Sequence, residues 1–220
     1  MGTKVHPKAF RLSTIRTWDS LWFSKKEFPR LLEEDHKIRG FLENSLKEAG
    51  VDHIQIERSL QQIHVTIFAA KPGFIIGRAG AGIEELRRKL VQTLFPGKRV
   101  QISLNVKEVS RPMLSSRIVG QQIASELERR MPFRTSMKGA IDRVMKAGAE
   151  GVKIIVSGRL NGAEIARREK LTSGKVPLQN LRADIDFAHV PAFTIFGTIG
   201  VRVWIYRGEV FEEKQEQRNA

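Results

Sequence analysis

The sequence predicts an α+β chain of two domains, and three observations carry that reading. Helical and strand periodicities alternate along the 220 residues. The pattern changes character near residues 108–111, where an alternating strand ends and Pro112 opens a helical stretch. Hydrophobic residues make up 41% of the chain, enough to bury a core in each half. The expected division is an arm over residues 1–24, a first domain over 25–109, a second over 110–209 and a disordered tail over 210–220.

The opening stretch has no clean period, and its aromatics Phe10, Trp18, Trp22 and Phe23 suggest an extended arm lying on something. Ile38, Phe41, Leu42 and Leu46 then recur at helical spacing, with Gly50 as terminator. Ile54 and Ile56, then Ile63, Val65 and Ile67, alternate with polar residues and predict two strands joined by a hairpin at Ser59–Gln62. Lys71-Pro72-Gly73 breaks the pattern before a short apolar turn, Phe74-Ile75-Ile76. Ile83, Leu86, Leu90 and Leu94 share one helical face, Pro96-Gly97 ends that helix, and Val100, Ile102, Leu104 and Val106 form a strand.

In the second half, Val119, Ile123 and Leu127 recur every four residues, and Met137, Ile141, Val144 and Met145 mark a further helix beyond Pro132. The remainder reads as strands around Val152–Val156, Leu181–Phe187 and Ile199–Ile205. The second domain is therefore two helices packed on a mainly antiparallel sheet.

Charge narrows the function. Lys and Arg number 38 against 24 Asp and Glu, a net charge of +14. A compact chain with this excess repels itself, so a polyanion is the expected partner. Nucleic acid fits, because each neutralised phosphate releases a counterion. The excess is uneven. The arm holds Lys4, Lys8, Arg11 and Arg16 with no acid before Thr17, and residues 129–182 hold 13 basic and 4 acidic side chains. A membrane surface would call for a basic amphipathic helix or lipid anchor, and neither motif is present; position 6 is His where an acylation signal has Ser or Thr. No apolar run approaches the roughly 18 residues of a membrane span, and no signal-peptide pattern opens the chain, so a cytoplasmic location is expected. Without cysteine there is no thiolate metal site or cysteine nucleophile.

The first domain reads helix, strand, strand, Gly77-Arg78-Ala79-Gly80, helix, strand. Glycines let a backbone approach a sugar-phosphate chain with no Cβ in the way. The following helix offers unpaired N–H groups and a positive dipole end to phosphate, and Arg78 adds a charge. A bare Gly-x-x-Gly is common, but the surrounding element order resembles the prokaryotic-type (type II) KH domain, whose groove holds about four single-stranded nucleotides. Gly77, Gly80 and Gly82 stand in the wrong order for a dinucleotide loop.

Four further segments extend the likeness: Met1-Gly2-x-Lys4-Val5-His6-Pro7, the run Ser157-Gly158-Arg159-Leu160 through Gly162-Ala163-Glu164-Ile165-Ala166-Arg167, Leu181-Arg182-Ala183-Asp184-Ile185-Asp186, and Gly197-x-Ile199-Gly200-Val201-x-Val203-Trp204-Ile205. Together they are similar to the bacterial small-subunit ribosomal protein three family, from the N-terminal methionine to about Glu209. The resemblance implies a non-enzymatic constituent of the small-subunit head. It implies small-subunit rRNA and mRNA as partners, with ribosomal proteins ten and fourteen as neighbours and no cofactor. It also implies that the second domain lines the tunnel where message enters, and helps hold and unwind it. The family's tunnel cations follow a Leu-Glu-Arg-Arg segment, here Leu127-Glu128-Arg129-Arg130. Arg134 and Lys138 match the downstream pattern, whereas Thr135 replaces its second arginine. Four residues apart, Arg134 and Lys138 share a helix face, where Arg143 and Lys146 would extend the surface.

The expected RNA contacts are thus Gly77, Arg78 and Gly80 in the loop, and Lys4, Lys8, Arg11 and Arg16 in the arm. In the second domain they are Arg129, Arg130, Arg134 and Lys138, with Arg159, Arg167, Arg168, Lys170 and Lys175 beside the strands and Glu164 and Glu169 as pairing acids. Asp184 and Asp186 share a strand face; an exposed, partner-facing row is favoured over a metal or acid–base pair, with Arg182 as cross-strand partner. The five histidines show no zinc spacing. Trp18, Trp22 and Trp204 suit packing more than base stacking. Two rivals stand beside this reading. A nucleic-acid lyase or nuclease would need a nucleophilic lysine or carboxylate-metal site, and a free KH-type regulator would bind short single strands selectively.

Overall fold

The computed structural model describes residues 4–59, 62–94 and 101–211. In chain order its main elements begin with α1 (Pro7–Phe10), β1 (Ser20–Leu21), α2 (Phe28–Ser45), β2 (Val51–Arg58), β3 (Gln62–Ala69), α3 (Pro72–Ile76), α4 (Ala81–Leu94) and β4 (Gln101–Glu108). Then come α5 (Ser116–Glu128), α6 (Phe133–Lys146), β5 (Gly151–Gly158), β6 (Arg167–Gly174), β7 (Ala183–Thr194) and β8 (Gly197–Glu209). Two compact units form: Trp18–Ser110, and the described parts of Met1–Thr17 and Arg111–Ala220. The stretch read as one arm, residues 1–24, is thus shared between the two units. Residues 60–61 of the expected hairpin turn, Pro96-Gly97, Val100 and residues 212–220 of the expected tail lie outside the described residues.

In the first unit the sheet order is β1-β2-β3-β4, with β2 and β3 antiparallel and the outer pairs parallel. Alternation turns Ile54, Ile56, Ile63, Val65 and Ile67 to one face, where Ile38 and Leu42 of α2 and Leu90 of α4 cover them. A buried carboxylate fastens the start of this unit. Asp35 of α2 accepts from Ser20 Oγ at 2.9 Å, from Trp22 Nε1 at 2.7 Å and from Arg58 Nη2 at 2.6 Å. Trp22 is therefore a clip within its own unit, packed 5.4 Å from the Phe28 ring.

The second unit carries an all-antiparallel sheet in the order β6-β5-β8-β7. Val119, Ile123 and Leu127 of α5 and Met137, Ala140 and Val144 of α6 pack on Val152, Ile154 and Val156 of β5 and on Val201, Val203 and Ile205 of β8. A Cβ at Gly120 would meet Val190 Cγ2 at 2.9 Å, so only glycine lets α5 lie this close to β7. Strand β6 was not expected: Leu171 is its one apolar side chain packed on the core, so its polar face hides the alternation.

The opposite sheet face holds a smaller cluster of Ile155, Ala183, Ile185, Trp204 and Tyr206. Here the N-terminal segment docks. The His6 ring meets Phe187 edge-on at 4.9 Å, and the buried Arg11 guanidinium donates to the carbonyls of Pro7 at 3.0 Å, Leu178 at 3.0 Å and Asn180 at 2.7 Å.

The same segment corrects the reading of Asp184 and Asp186. They are buried, not an exposed row, and their partners are not Arg182. Asp186 pairs with Lys8 Nζ at 2.9 Å, with Arg16 Nη2 at 3.4 Å and with Arg207 Nη2 at 3.4 Å. Its Oδ2 also accepts from the Ser116 backbone N–H at 2.7 Å, so it caps the positive end of α5. Arg16 bridges on to Asp184 at 3.2 Å.

Burial pushes the Asp186 carboxyl up, but Lys8, Arg16 and Arg207 outweigh it and hold the group far below the ordinary carboxylate range. The ionised form is the native one. The stability it contributes is complete above the unfolded value of about 3.9 and is lost as pH falls from there towards the folded value. Urea melts should show a stability loss below about pH 4 that is smaller in Asp186→Asn. Asp186→Ala should cost about 2–4 kcal/mol at neutral pH, less than a fully buried pair because its cations are partly solvated. A midpoint unchanged from wild type would contradict this.

Candidate nucleic-acid interface

The Gly-x-x-Gly loop is built by close backbone packing. Helix α3 ends at Gly77, whose φ of 68° and ψ of −173° turn the chain where a side chain would strain it. Gly80, at φ 80°, precedes the first turn of α4. A Cβ on Gly82 would stand 2.7 Å from the Ile75 carbonyl oxygen and 3.0 Å from that of Ile76, so the start of α4 rests directly on α3. Arg78 is exposed on this loop, and Phe74 and Ile76 expose apolar surface beside it while Ile75 anchors α3 in the core. Lys71 Nζ lies 5.6 Å from the Phe74 ring centroid. Cationic and apolar groups therefore flank the start of a 14-residue helix, whose first N–H donates to the Arg78 carbonyl.

The α5–α6 junction presents a second group. Arg130 sits at φ 62°, a left-handed residue in the turn that leads through Pro132 into α6. Arg129, Arg130, Arg134 and Lys138 are all exposed. Arg134 makes a long contact to Glu169 at 3.6 Å and lies 5.7 Å from the Phe133 ring centroid. The other three have no ion pair among the described residues. Beside them lies a cavity of about 490 Å³, lined by Pro132, Phe133, Arg134, Arg167, Glu169 and the turn at residues 160–163. Arg143 does not extend this surface, because its guanidinium is tied to Glu126 at 3.2 Å.

The strand-flanking cations divide. Arg167 and Arg168 are adjacent in sequence, so they point to opposite sheet faces. Arg159 is spent locally: Nε donates to the Ala163 carbonyl at 2.9 Å and the guanidinium lies 5.6 Å from the Phe196 ring centroid. Lys175 is exposed just beyond β6. In the arm, Arg11 is buried against backbone carbonyls, Lys8 and Arg16 hold Asp186, and Lys4 is exposed with no ion pair among the described residues.

Sequence comparison agrees with both units. A family model described as KH domain matches residues 37–114, and one described as ribosomal protein S3, C-terminal domain, matches residues 123–205. Small ribosomal subunit protein uS3 of Oenococcus oeni is 50% identical over 213 residues, which span 95% of this chain and 80% of that protein. The protein of the same name from Staphylococcus aureus is 50% identical over 214 residues, 97% of each chain. That of Caldicellulosiruptor saccharolyticus is 49% identical, spanning 97% of this chain and 96% of its own. This chain belongs to the ribosomal protein S3 family.

Within this member of the S3 family, sequence reasoning missed Asp35 and Arg58 altogether, and misread Asp186. The usable signal was the pair of carboxylates in an otherwise apolar strand, which asks for buried cations as readily as for solvent. The loop gives a direct test. Gly82→Ala should displace α4 from α3 and weaken binding of a short single-stranded RNA several-fold, while Gly139→Ala, with nothing within 4 Å of the added Cβ, should bind as wild type. Filter binding of the full chain reads both; equal affinities would show that the loop geometry does not matter.

Proposed function

We propose that this chain is a structural constituent of the small ribosomal subunit, in its head, binding small-subunit rRNA and helping to form the passage through which mRNA enters. It works in the ribosome of the cytoplasm and carries out no bond-making chemistry. The observation that carries the reading is the exposed cation group Arg129, Arg130, Arg134 and Lys138 at one helix junction, on a chain of the S3 family.

Fixed cations one helical turn apart favour single-stranded phosphate once a base pair has opened, and so disfavour its closing. That is unwinding by trapping: the energy comes from translocation, and this chain supplies only the electrostatic bias. Thr135 in place of a further arginine reduces that bias. The cavity between Arg134, Arg167 and Glu169 gives a strand room beside the charges. The Gly77–Gly80 loop, with Arg78, suits a second RNA contact, and exposed Lys4, Lys175 and Arg168 suit rRNA phosphates. Lys8, Arg11 and Arg16 act instead by fixing the segment that carries Lys4.

Protein neighbours in the head, ribosomal proteins ten and fourteen, fit the exposed apolar side chains of Ile165 and of Phe193, Ile195 and Phe196 near the β7–β8 turn.

Ribosomes carrying Arg134→Ala with Lys138→Ala should translate messages with stable hairpins several-fold more slowly and unstructured messages at the wild-type rate. Equal slowing, or none, on the two message types rejects the trapping role.

A further inference from the structure

Alternation sends the side chains of the second unit's sheet to two faces. One face carries α5 and α6, and α1 with the rest of the N-terminal segment covers the β7 side of the other. On the other, Ile155 stands between Lys170 of β6 and Arg202 of β8, Ser157 stands opposite Arg168, and Lys153 stands opposite Trp204. His189 of β7 follows Arg202 across the sheet. Arg168, Lys170, Arg202 and His189 are exposed. Lys153 is half-buried, its Nζ 5.1 Å from the Trp204 ring centroid.

These positions and their same-face neighbours Thr172 and Gly200 include no acid; a carboxylate reaches this face at its Tyr206 end, where Tyr206 is hydrogen-bonded to Glu150. None of Lys153, Arg168, Lys170 and Arg202 makes an ion pair with a described residue. Strand neighbours lie about 5 Å apart and residues i and i+2 about 7 Å apart, so the lattice packs like charges closely. Lys153 reflects it: burial lowers its ammonium pKa, and Lys4, Lys170 and Arg168 lower it further. By contrast, the partly buried Lys8 and Arg16 of the same unit are matched to Asp186 and Asp184. Blunting of an exposed edge would account for Arg168 and Lys170 on β6, but not for Lys153 and Arg202 on the central strands β5 and β8.

We propose that the β6-β5-β8 part of the sheet face opposite α5 and α6, through Lys153, Arg168, Lys170 and Arg202, docks the phosphate backbone of helical RNA and reads no bases. The Trp204 ring is buried and capped by Lys153, so the face offers no free stacking platform for a single strand. A rigid grid of point charges instead fits the regular backbone of an A-form helix, recognised by shape and phosphate. The inference rests on the rRNA-binding reading above and gives it a specific surface, distinct from the α5–α6 junction.

The test uses the full chain, a 20-base-pair RNA hairpin of arbitrary sequence as probe, and the slope of log affinity against log salt. The variant Arg168→Gln/Lys170→Gln/Arg202→Gln should make that slope shallower by about 2–3, one for each lost phosphate contact. Removing equal charge from the first unit, as Lys25→Gln/Lys26→Gln/Lys47→Gln, should leave it unchanged. Scrambling the hairpin sequence should alter neither result. A wild-type slope in the sheet variant, an equal change in the control variant, or loss of polyglutamate binding with RNA binding intact would each overturn the proposal. Failure of the wild-type chain itself to bind rRNA would instead sink the broader reading.

Discussion

One carboxylate organises the second unit. Asp186 gathers Lys8 and Arg16 from the N-terminal segment, Arg207 from β8 and the first backbone N–H of α5. Its burial is costly alone and tolerable only with those partners present. Removing it leaves Lys8 without its carboxylate, Arg16 and Arg207 with Asp184 alone, and the Ser116 N–H at the start of α5 without its acceptor. The placement of α5 against β7, the seating of residues 4–17 and the end of β8 are therefore one cooperative arrangement, not three independent ones.

That arrangement also sorts the charge excess by purpose. Lys8, Arg11, Arg16 and Arg207 meet acids or carbonyls inside the protein, and Arg143 and Arg159 are tied at its surface. Among the described residues, exposed and unmatched cations cluster at three places, the loop with Arg78, the α5–α6 junction and the sheet face opposite α5 and α6, with others such as Lys4, Lys47 and Lys175 standing singly. A positive net charge alone says little about where a polyanion binds. The informative quantity is the set of cations that the fold leaves without partners.

Much of this was legible in the sequence, and the failures share a cause. Element order around Gly77 and Gly80 was readable because each signal is local: a period, a breaker, a terminator. The helix faces of Val119, Ile123, Leu127, Met137 and Val144 were readable for the same reason. Asp186 was misread because its partners come from the other end of the chain; the Arg16–Asp184 bond alone spans 168 residues. Strand β6 was missed because an edge strand with a polar outer face lacks strong apolar alternation. Arg167 and Arg168 were both expected as RNA contacts beside the strands, and only the strand itself, β6, sends them to opposite faces.

The second unit is discontinuous in sequence: its described residues before Trp18 and after Ser110 pack together, and the first unit is inserted between them along the chain. Synthesis runs from the N-terminus, so Lys8 and Arg16 leave the ribosome before any of their carboxylate partners exist. At about 5–20 residues per second they wait on the order of ten seconds or more until Asp184, Asp186 and then the Arg207 strand are made. During that interval the nascent chain carries an unneutralised cationic tip while Trp18–Ser110 can already collapse around its own core. A chain truncated before β7 lacks Asp184 and Asp186, so Lys8 and Arg16 at its beginning have no carboxylate of the late unit to pair with.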